Sequence, residues 1–296
     1  MSTLRTVLAA AVAAGALVAT PPSPAAAADD TADEPVYLVK GYGQDLTEPP
    51  SQWSCATRWS KAIRAMRRRG WEGRFVRVGF YKQDTPATGC DVNVGIPGSG
   101  EQAGTQEGPL RELGRRLAWN IYNEHSHKGE SVDIVGHSMG GLVARAAIAG
   151  YARREKGWPP KLLVEDAVTL GAPHGGSTLA RLCFTRQCKD MRAGSDFLRW
   201  LSRTPNPQAD GGTDWTLIAA EDDGVAGPGS AAPAGMRARH RVIYAEDQDL
   251  GHSELRKAVS GRYRMTFFND GRRGSRPDGA SPIQATQNSL FWATRW

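Results

Sequence analysis

The sequence predicts an α/β fold in which a mainly parallel central sheet is flanked by helices. Three observations carry that expectation. Short apolar runs recur along the chain, segments of helical periodicity separate them, and one run passes through a glycine-rich turn straight into a long alanine-rich helix. With 296 residues and 40% hydrophobic content the chain can bury one full core and has no room for a second large domain.

Val36 to Val39 reads as the first strand, followed by a Gly41-Tyr42-Gly43 turn. Ser51 to Arg69 is expected as a helix, Arg74 to Phe80 as a strand, and Gly95 to Gly108 as a loop. Pro109 to His125 resumes helical periodicity and leads into the short strand Ser131 to Val135. Leu142 to Arg154 is the alanine-rich helix, and Leu162 to Leu170, Thr216 to Ala220 and Arg241 to Ala245 supply three more strands.

Residues 1–28 have the pattern of an export signal: Arg5 as the charged start, an apolar stretch from Thr6 to Ala19, and the small residues Ala26 to Ala28 before a cleavage point. The apolar run is too short for a comfortable membrane span, so no stable membrane anchor is expected. A soluble, secreted protein beginning near Asp29, with one globular domain over 29–296, follows. Export makes disulfides the default for Cys55, Cys90, Cys183 and Cys188. Three pairings exist, of which Cys183 with Cys188 and Cys55 with Cys90 are favoured. Zinc would want paired C-x-x-C spacing or nearby histidines, so no metal is expected.

The net charge of +6 comes largely from scattered arginines. The cluster Arg64, Arg67, Arg68 and Arg69 sits where a helix should end, and cations there complement the helix dipole. No aromatic-interleaved basic stripe accompanies it, which argues against nucleic acid as a partner. A monomer is expected.

Gly136-x-Ser138-x-Gly140 fits a nucleophile elbow, in which serine occupies a strained turn between strand and helix and a side chain at either glycine would clash. The short motif is weak alone, but the strand before it and the helix after it stand where the mechanism needs them. The helix N-terminus would point free amides at an anionic intermediate.

Gly136-His137-Ser138-Met139-Gly140-Gly141-Leu142 resembles the elbow of bacterial lipases and esterases of the α/β-hydrolase superfamily. Thr169 to Ser177 is similar to the strand end and loop that follow the elbow in those lipases, and Cys183 to Leu198 to the cysteine-bearing segment of secreted actinobacterial lipases. The resemblance runs from about Val36 to Leu255 and implies an α/β-hydrolase fold with a small cap segment, hydrolysis of carboxylic esters, and no cofactor.

A serine hydroxyl needs a base to take its proton and a carboxylate to orient that base, in the chain order Ser, Asp or Glu, His. Among six histidines, His125 and His127 precede the nucleophile, His137 lies inside the elbow, His174 follows the wrong strand and His240 opens one. His252 follows the last strand by a short loop and precedes a helical Glu254 to Val259, where the resemblance puts the base. The acid belongs to Glu221-Asp222-Asp223-Gly224-Val225, and the family's Asp-x-Val register selects Asp223 over Asp222, with Glu221, Asp247 and Asp249 behind them. Met139 and Tyr42 are the expected backbone donors to the oxyanion. Relatives usually have histidine where this chain has Lys40, a residue that helps brace the loop.

Between Gly176 and Trp215 there is room for a small cap bearing Phe197, Leu198, Trp200 and Leu201, either as the wall of an acyl pocket or as a helix face packed on the core. The nine tryptophans are spread as core and edge packing rather than as an interfacial belt. The expected substrate is an ester or lipid. Acyltransferase, thioesterase or amidase chemistry on the same machinery is the alternative, and a silent hydrolase fold that only binds a partner is a third reading.

Overall fold

The computed structural model describes residues 32–43, 54–291 and 296. The export signal expected over 1–28 lies outside the described residues.

The chain runs β1 (Val36–Val39), α1 (Cys55–Arg68), β2 (Phe75–Gly79), β3 (Val92–Asn93), α2 (Leu110–Glu124), β4 (Val132–His137) and α3 (Met139–Ala152). It continues through β5 (Val164–Leu170), α4 (Arg186–Met191), α5 (Asp196–Ser202), β6 (Asp214–Ala220), α6 (Pro228–Ala231) and β7 (His240–Tyr244). The last elements are β8 (Arg262–Asn269), β9 (Arg272–Ala280) and α7 (Pro282–Leu290). They form one nine-stranded sheet in the order β3-β2-β1-β4-β5-β6-β7-β8-β9. It is parallel up to β7 and antiparallel across β8 and β9.

Successive residues of a strand point to opposite faces, and β1 shows what that does here. Val36 and Leu38 join Val135, Trp59, Met66 and Ile283 on one side, where α1 and α7 lie. Tyr37 and Val39 join Ile134, Leu113, Leu117 and Val143 on the other, where α2 and α3 lie. Burial on both faces is why the central strands read as continuous apolar runs.

Helix ends follow local chemistry. Ser54 caps α1 by accepting from the Thr57 amide at 3.1 Å, and Arg67 and Arg68 stand in its last turn. Both expected disulfides are present, Cys55–Cys90 tying the start of α1 to the segment before β3 and Cys183–Cys188 closing a short loop.

The structure resolves one open alternative of the sequence reading, the packing of α5, and differs from that reading at three places. β4 extends two residues beyond Val135, and α3 begins at Met139 rather than Leu142, so no spacer separates them from Ser138. The helix expected over Glu254 to Val259 is a single 3-10 turn, Glu254–Arg256. The apolar residues of α5 pack on the core: the Trp200 ring stacks 5.9 Å from Phe197 and carries the Arg153 guanidinium 4.3 Å above it. Finally, β8, β9 and α7 follow where no element was expected. Among the described residues no helix is long and apolar enough to cross a membrane.

Candidate active site

Parallel strands deliver their C-terminal ends to one edge of the sheet, and the predicted site residues follow those ends. Ser138 stands between β4 and α3 with φ 56° and ψ −130°, a conformation that costs a non-glycine residue roughly 1–3 kcal/mol. Neighbouring backbone enforces it. The Ser138 amide donates to the Leu170 carbonyl at 2.9 Å and the Gly141 amide to the Ser138 carbonyl at 3.0 Å. A Cβ at Gly136 would lie 2.5 Å from Gly141 Cα, and one at Gly140 would lie 2.2 Å from the Val39 carbonyl oxygen. Glycine at both positions is therefore a steric requirement of the turn.

Three buried side chains form a continuous relay. His252 Nε2 lies 2.8 Å from Ser138 Oγ, and His252 Nδ1 lies 2.8 Å from Asp223 Oδ2 and 3.0 Å from Oδ1. With the Nδ1 proton directed at the carboxylate, Nε2 is left to accept the serine proton. Asp223 Oδ1 also accepts from the amides of Val225 and Ala226, at 2.8 and 2.9 Å. Those bonds hold the carboxylate in one orientation.

Asp222 points away from this relay. Its carboxylate accepts from the amides of Asp247 and Gln248, at 3.1 and 3.0 Å, and so braces the loop that leads to His252. Those amides hold its pKa below the usual aspartate value, the Gln248 amide most of all. Glu221, Asp247 and Asp249 are not brought to His252; among the described residues Asp223 is the carboxylate bonded to it.

The two expected backbone donors flank Ser138. Met139 is the fully buried first residue of α3. Tyr42 follows Gly41, whose added Cβ would lie 2.9 Å from Ser138 Cβ, so this loop runs directly against the serine. Lys40 braces the loop from below. It is fully buried, forms an ion pair with Asp84, and sits 4.9 Å from the centre of the Tyr81 ring. Asp84 in turn accepts from the amides of Phe80 and Tyr81, at 2.8 and 2.9 Å, and Tyr81 Oη accepts from the Gly43 amide at 3.0 Å. Burial lowers the lysine pKa while Asp84 opposes that shift. On the outer side, the Tyr42 hydroxyl lies 3.1 Å from Thr185 Oγ1, within the Cys183–Cys188 loop. Leu182 and Phe184 of that region are 69% and 78% exposed.

Sequence reasoning missed Asp84 and Tyr81, whose partners are distant in the chain, and also Gly171. That glycine follows β5 at φ 57°, and a Cβ there would stand 2.8 Å from Asp223 Oδ2 and 3.2 Å from His252 Nδ1. The other histidines have separate surroundings. His174 Nε2 lies 3.2 Å from Thr169 Oγ1; His240 is held between Asp214 and Asn269; His125 meets Glu130 and His127 the Tyr122 carbonyl. Cys55, Asp84 and Cys90 form a cluster of metal-ligating types among the described residues, but both sulfurs are committed to the disulfide.

Residues 115–189 match the family model described as a PGAP1-like alpha/beta domain, a quarter of the chain that contains Ser138. Comparison with curated proteins finds no match. Among solved structures, the chain is similar to Bacillus licheniformis lipase BlEst2 in its mature form, at 20% identity and TM-score 0.42, over 69% of this chain and 71% of that one. It is similar to Aspergillus fumigatus lipase B at 16% identity and TM-score 0.42, over 73% of this chain and 44% of that one, so it spans less than half of that lipase. The lin2722 product of Listeria innocua matches at 16% identity and TM-score 0.47, over 87% and 94% of the two chains. The fold is that of α/β-hydrolases: a mainly parallel sheet flanked by helices, with a serine on the strand-to-helix elbow.

Proposed function

We propose that this protein is a secreted serine hydrolase that cleaves carboxylic esters of lipids through Ser138, His252 and Asp223. The observation that carries the proposal is the unbroken relay from Asp223 through His252 to Ser138, with the serine held on a strained elbow at the head of α3.

In this mechanism Ser138 Oγ attacks the acyl carbon while His252 Nε2 takes its proton, and Asp223 stabilises the imidazolium that forms. The carbonyl oxygen becomes an oxyanion, which accepts from the amides of Met139 and Tyr42. Collapse expels the alcohol, protonated by His252, and leaves an acyl group on Ser138. Water, deprotonated by the same imidazole, then releases the acid. The chemistry requires no metal or organic cofactor. A lipid acyl group as substrate is supported by the exposed Leu182 and Phe184 on a loop joined to Tyr42, and secretion by two disulfides, which persist in oxidising compartments.

The test is hydrolysis of p-nitrophenyl esters of graded chain length by the purified protein and its Ser138→Ala variant, with a fluorophosphonate probe to label the nucleophile. Hydrolysis favouring long chains, abolished with labelling in the variant, is the expected result. Turnover that survives loss of Ser138 would refute the assignment.

A further inference from the structure

β8 and β9 carry the sheet two strands past its parallel part, and their side chains divide between its faces. Tyr263, Met265 and Phe267 of β8 pack on the cluster that contains Trp59 and Ile283. Arg262, Arg264, Thr266 and Phe268 alternate with them and are exposed or half-buried on the opposite face. Cross-strand register extends that face over three strands. Arg241 of β7 stands opposite Phe268, which stands opposite Arg273 of β9, while Thr266 lies between Ile243 and Ser275. The Arg241 guanidinium sits 4.5 Å over the Phe268 ring, and a groove of about 200 Å³ lies among these side chains.

The charged side chains of this face are mainly arginines. Arg239, at its rim, is paired with Asp270, but among the described residues Arg241, Arg264 and Arg273 meet no carboxylate; Arg264 donates instead to the Glu246 carbonyl at 2.9 Å. Arginines on an edge strand commonly block edge-to-edge pairing. That role fits Arg273 on β9 and fails for Arg241 and Arg264, because β7 and β8 are paired on both sides and have no edge to protect. Another account is needed for cations on a sheet face whose described residues are exposed or half-buried.

We propose that this face docks on an anionic lipid bilayer. Neighbouring strands lie about 4.8 Å apart and alternate residues about 6.8 Å apart, a spacing that lets several arginines of one sheet face meet packed anionic headgroups together. Phe268 among them supplies an apolar ring that can insert at the boundary between headgroups and acyl chains. A duplex nucleic acid would instead be met by a helix or a free two-stranded ribbon that enters a groove, whereas β8 is also paired to β7. The inference stands independently of the ester-hydrolase reading, since docking requires no reaction at Ser138.

The experiment is co-sedimentation of the full chain bearing Ser138→Ala with vesicles of phosphatidylcholine alone or mixed with phosphatidylglycerol, so that hydrolysis neither contributes nor interferes. Each basic residue near an anionic surface contributes about fivefold in affinity. The triple variant R241Q/R264Q/R273Q should therefore bind the mixed vesicles on the order of a hundredfold more weakly, while R241K/R264K/R273K retains binding. Circular dichroism checks that both keep the parent fold, and R273Q alone, at an exposed position on β9, serves as the comparison if the triple variants do not. Absence of binding to mixed vesicles, equal binding to phosphatidylcholine alone, undiminished binding by the glutamine variants, or tighter binding of duplex DNA than of vesicles would each overturn the proposal.

Discussion

His137 Nε2 donates a hydrogen bond to the main-chain carbonyl of His252 at 2.9 Å, and the two rings lie 4.9 Å apart. This bond takes no part in proton transfer, yet it ties the backbone of the proposed base to the residue beside the proposed nucleophile. Burial, reinforced by the neighbouring His252 and Arg256, holds the His137 pKa well below the ordinary histidine value, so the ring stays neutral. Removing it should let His252 drift. A misplacement of about 1 Å can cost a hundredfold in rate. For His137→Ala the expected outcome is a fall in kcat of about ten- to a hundredfold with KM little changed, and partial recovery in His137→Gln, whose amide can donate to the same carbonyl. A rise in KM at constant kcat would contradict this positioning role.

Asp222 and Asp223 offer a separation of adjacent carboxylates. Asp223→Asn should lower kcat by about ten-thousandfold, because the amide no longer holds the imidazole in the needed tautomer. Asp222→Asn should leave catalysis within about tenfold of the parent and cost about 1 kcal/mol of stability through weakened bonds to the Asp247 and Gln248 amides. Steady-state kinetics and urea unfolding of the two variants measure both. The reverse ranking would move the acid to Asp222.

The sequence and the structure agree most closely where burial imposes a pattern. β1, β4 and β5 are apolar because both faces are covered, and the elbow is legible because its glycines are sterically required. β9 was illegible for the opposite reason. Arg272 to Asp278 is almost wholly exposed and contains Pro277, so this strand is held by its ladder to β8 rather than by buried side chains. Within the site, order along the chain marks Ser138 and His252, but nothing local marks the support beneath them. Lys40 and Asp84 are 44 residues apart and meet only because β1 and β2 are neighbours.

That ion pair leads to a stability prediction. A buried pair broken on one side leaves an uncompensated charge, at a cost of about 3–5 kcal/mol. Lys40→Met and Asp84→Asn should each destabilise on that scale, the aspartate variant also losing the acceptor for the Phe80 and Tyr81 amides. Chemical denaturation of both singles and of the double variant is the measurement. The double variant should be less destabilised than the two singles combined, and strict additivity would show that the pair is not coupled.

The exposed Leu182 and Phe184 lead to a substrate-dependent prediction. If their loop presents an apolar rim to a lipid aggregate, Leu182→Ser with Phe184→Ser should lower turnover of an emulsified long-chain ester by more than about tenfold, since each buried apolar side chain contributes about 1.5–3 kcal/mol. Turnover of soluble p-nitrophenyl acetate should be unchanged. Equal losses on both substrates would assign these side chains to the integrity of the loop rather than to lipid contact.

The buried histidines set a pH dependence whose sign follows from linkage. Burial depresses the pKa of both His137 and His174 well below the ordinary value. Stability tied to them is therefore fully present above the unfolded-state value of about 6.5 and is lost as pH falls from there toward the folded-state value. Each contributes up to about 1.4 kcal/mol per pH unit in that range, because the unfolded chain takes a proton that the folded chain refuses. His240 runs the other way. Burial opposes its protonation, but Asp214 and Asn269 outweigh that and raise its pKa, so below about 6.5 it is protonated in both states and adds nothing to the slope. His174→Asn lies away from the relay and should flatten the fall in unfolding free energy between about pH 6 and pH 5 by close to one proton's worth, as read from urea titrations across that range. An unaltered slope would mean that His174 takes up a proton in the folded state, and its depressed pKa would then be wrong.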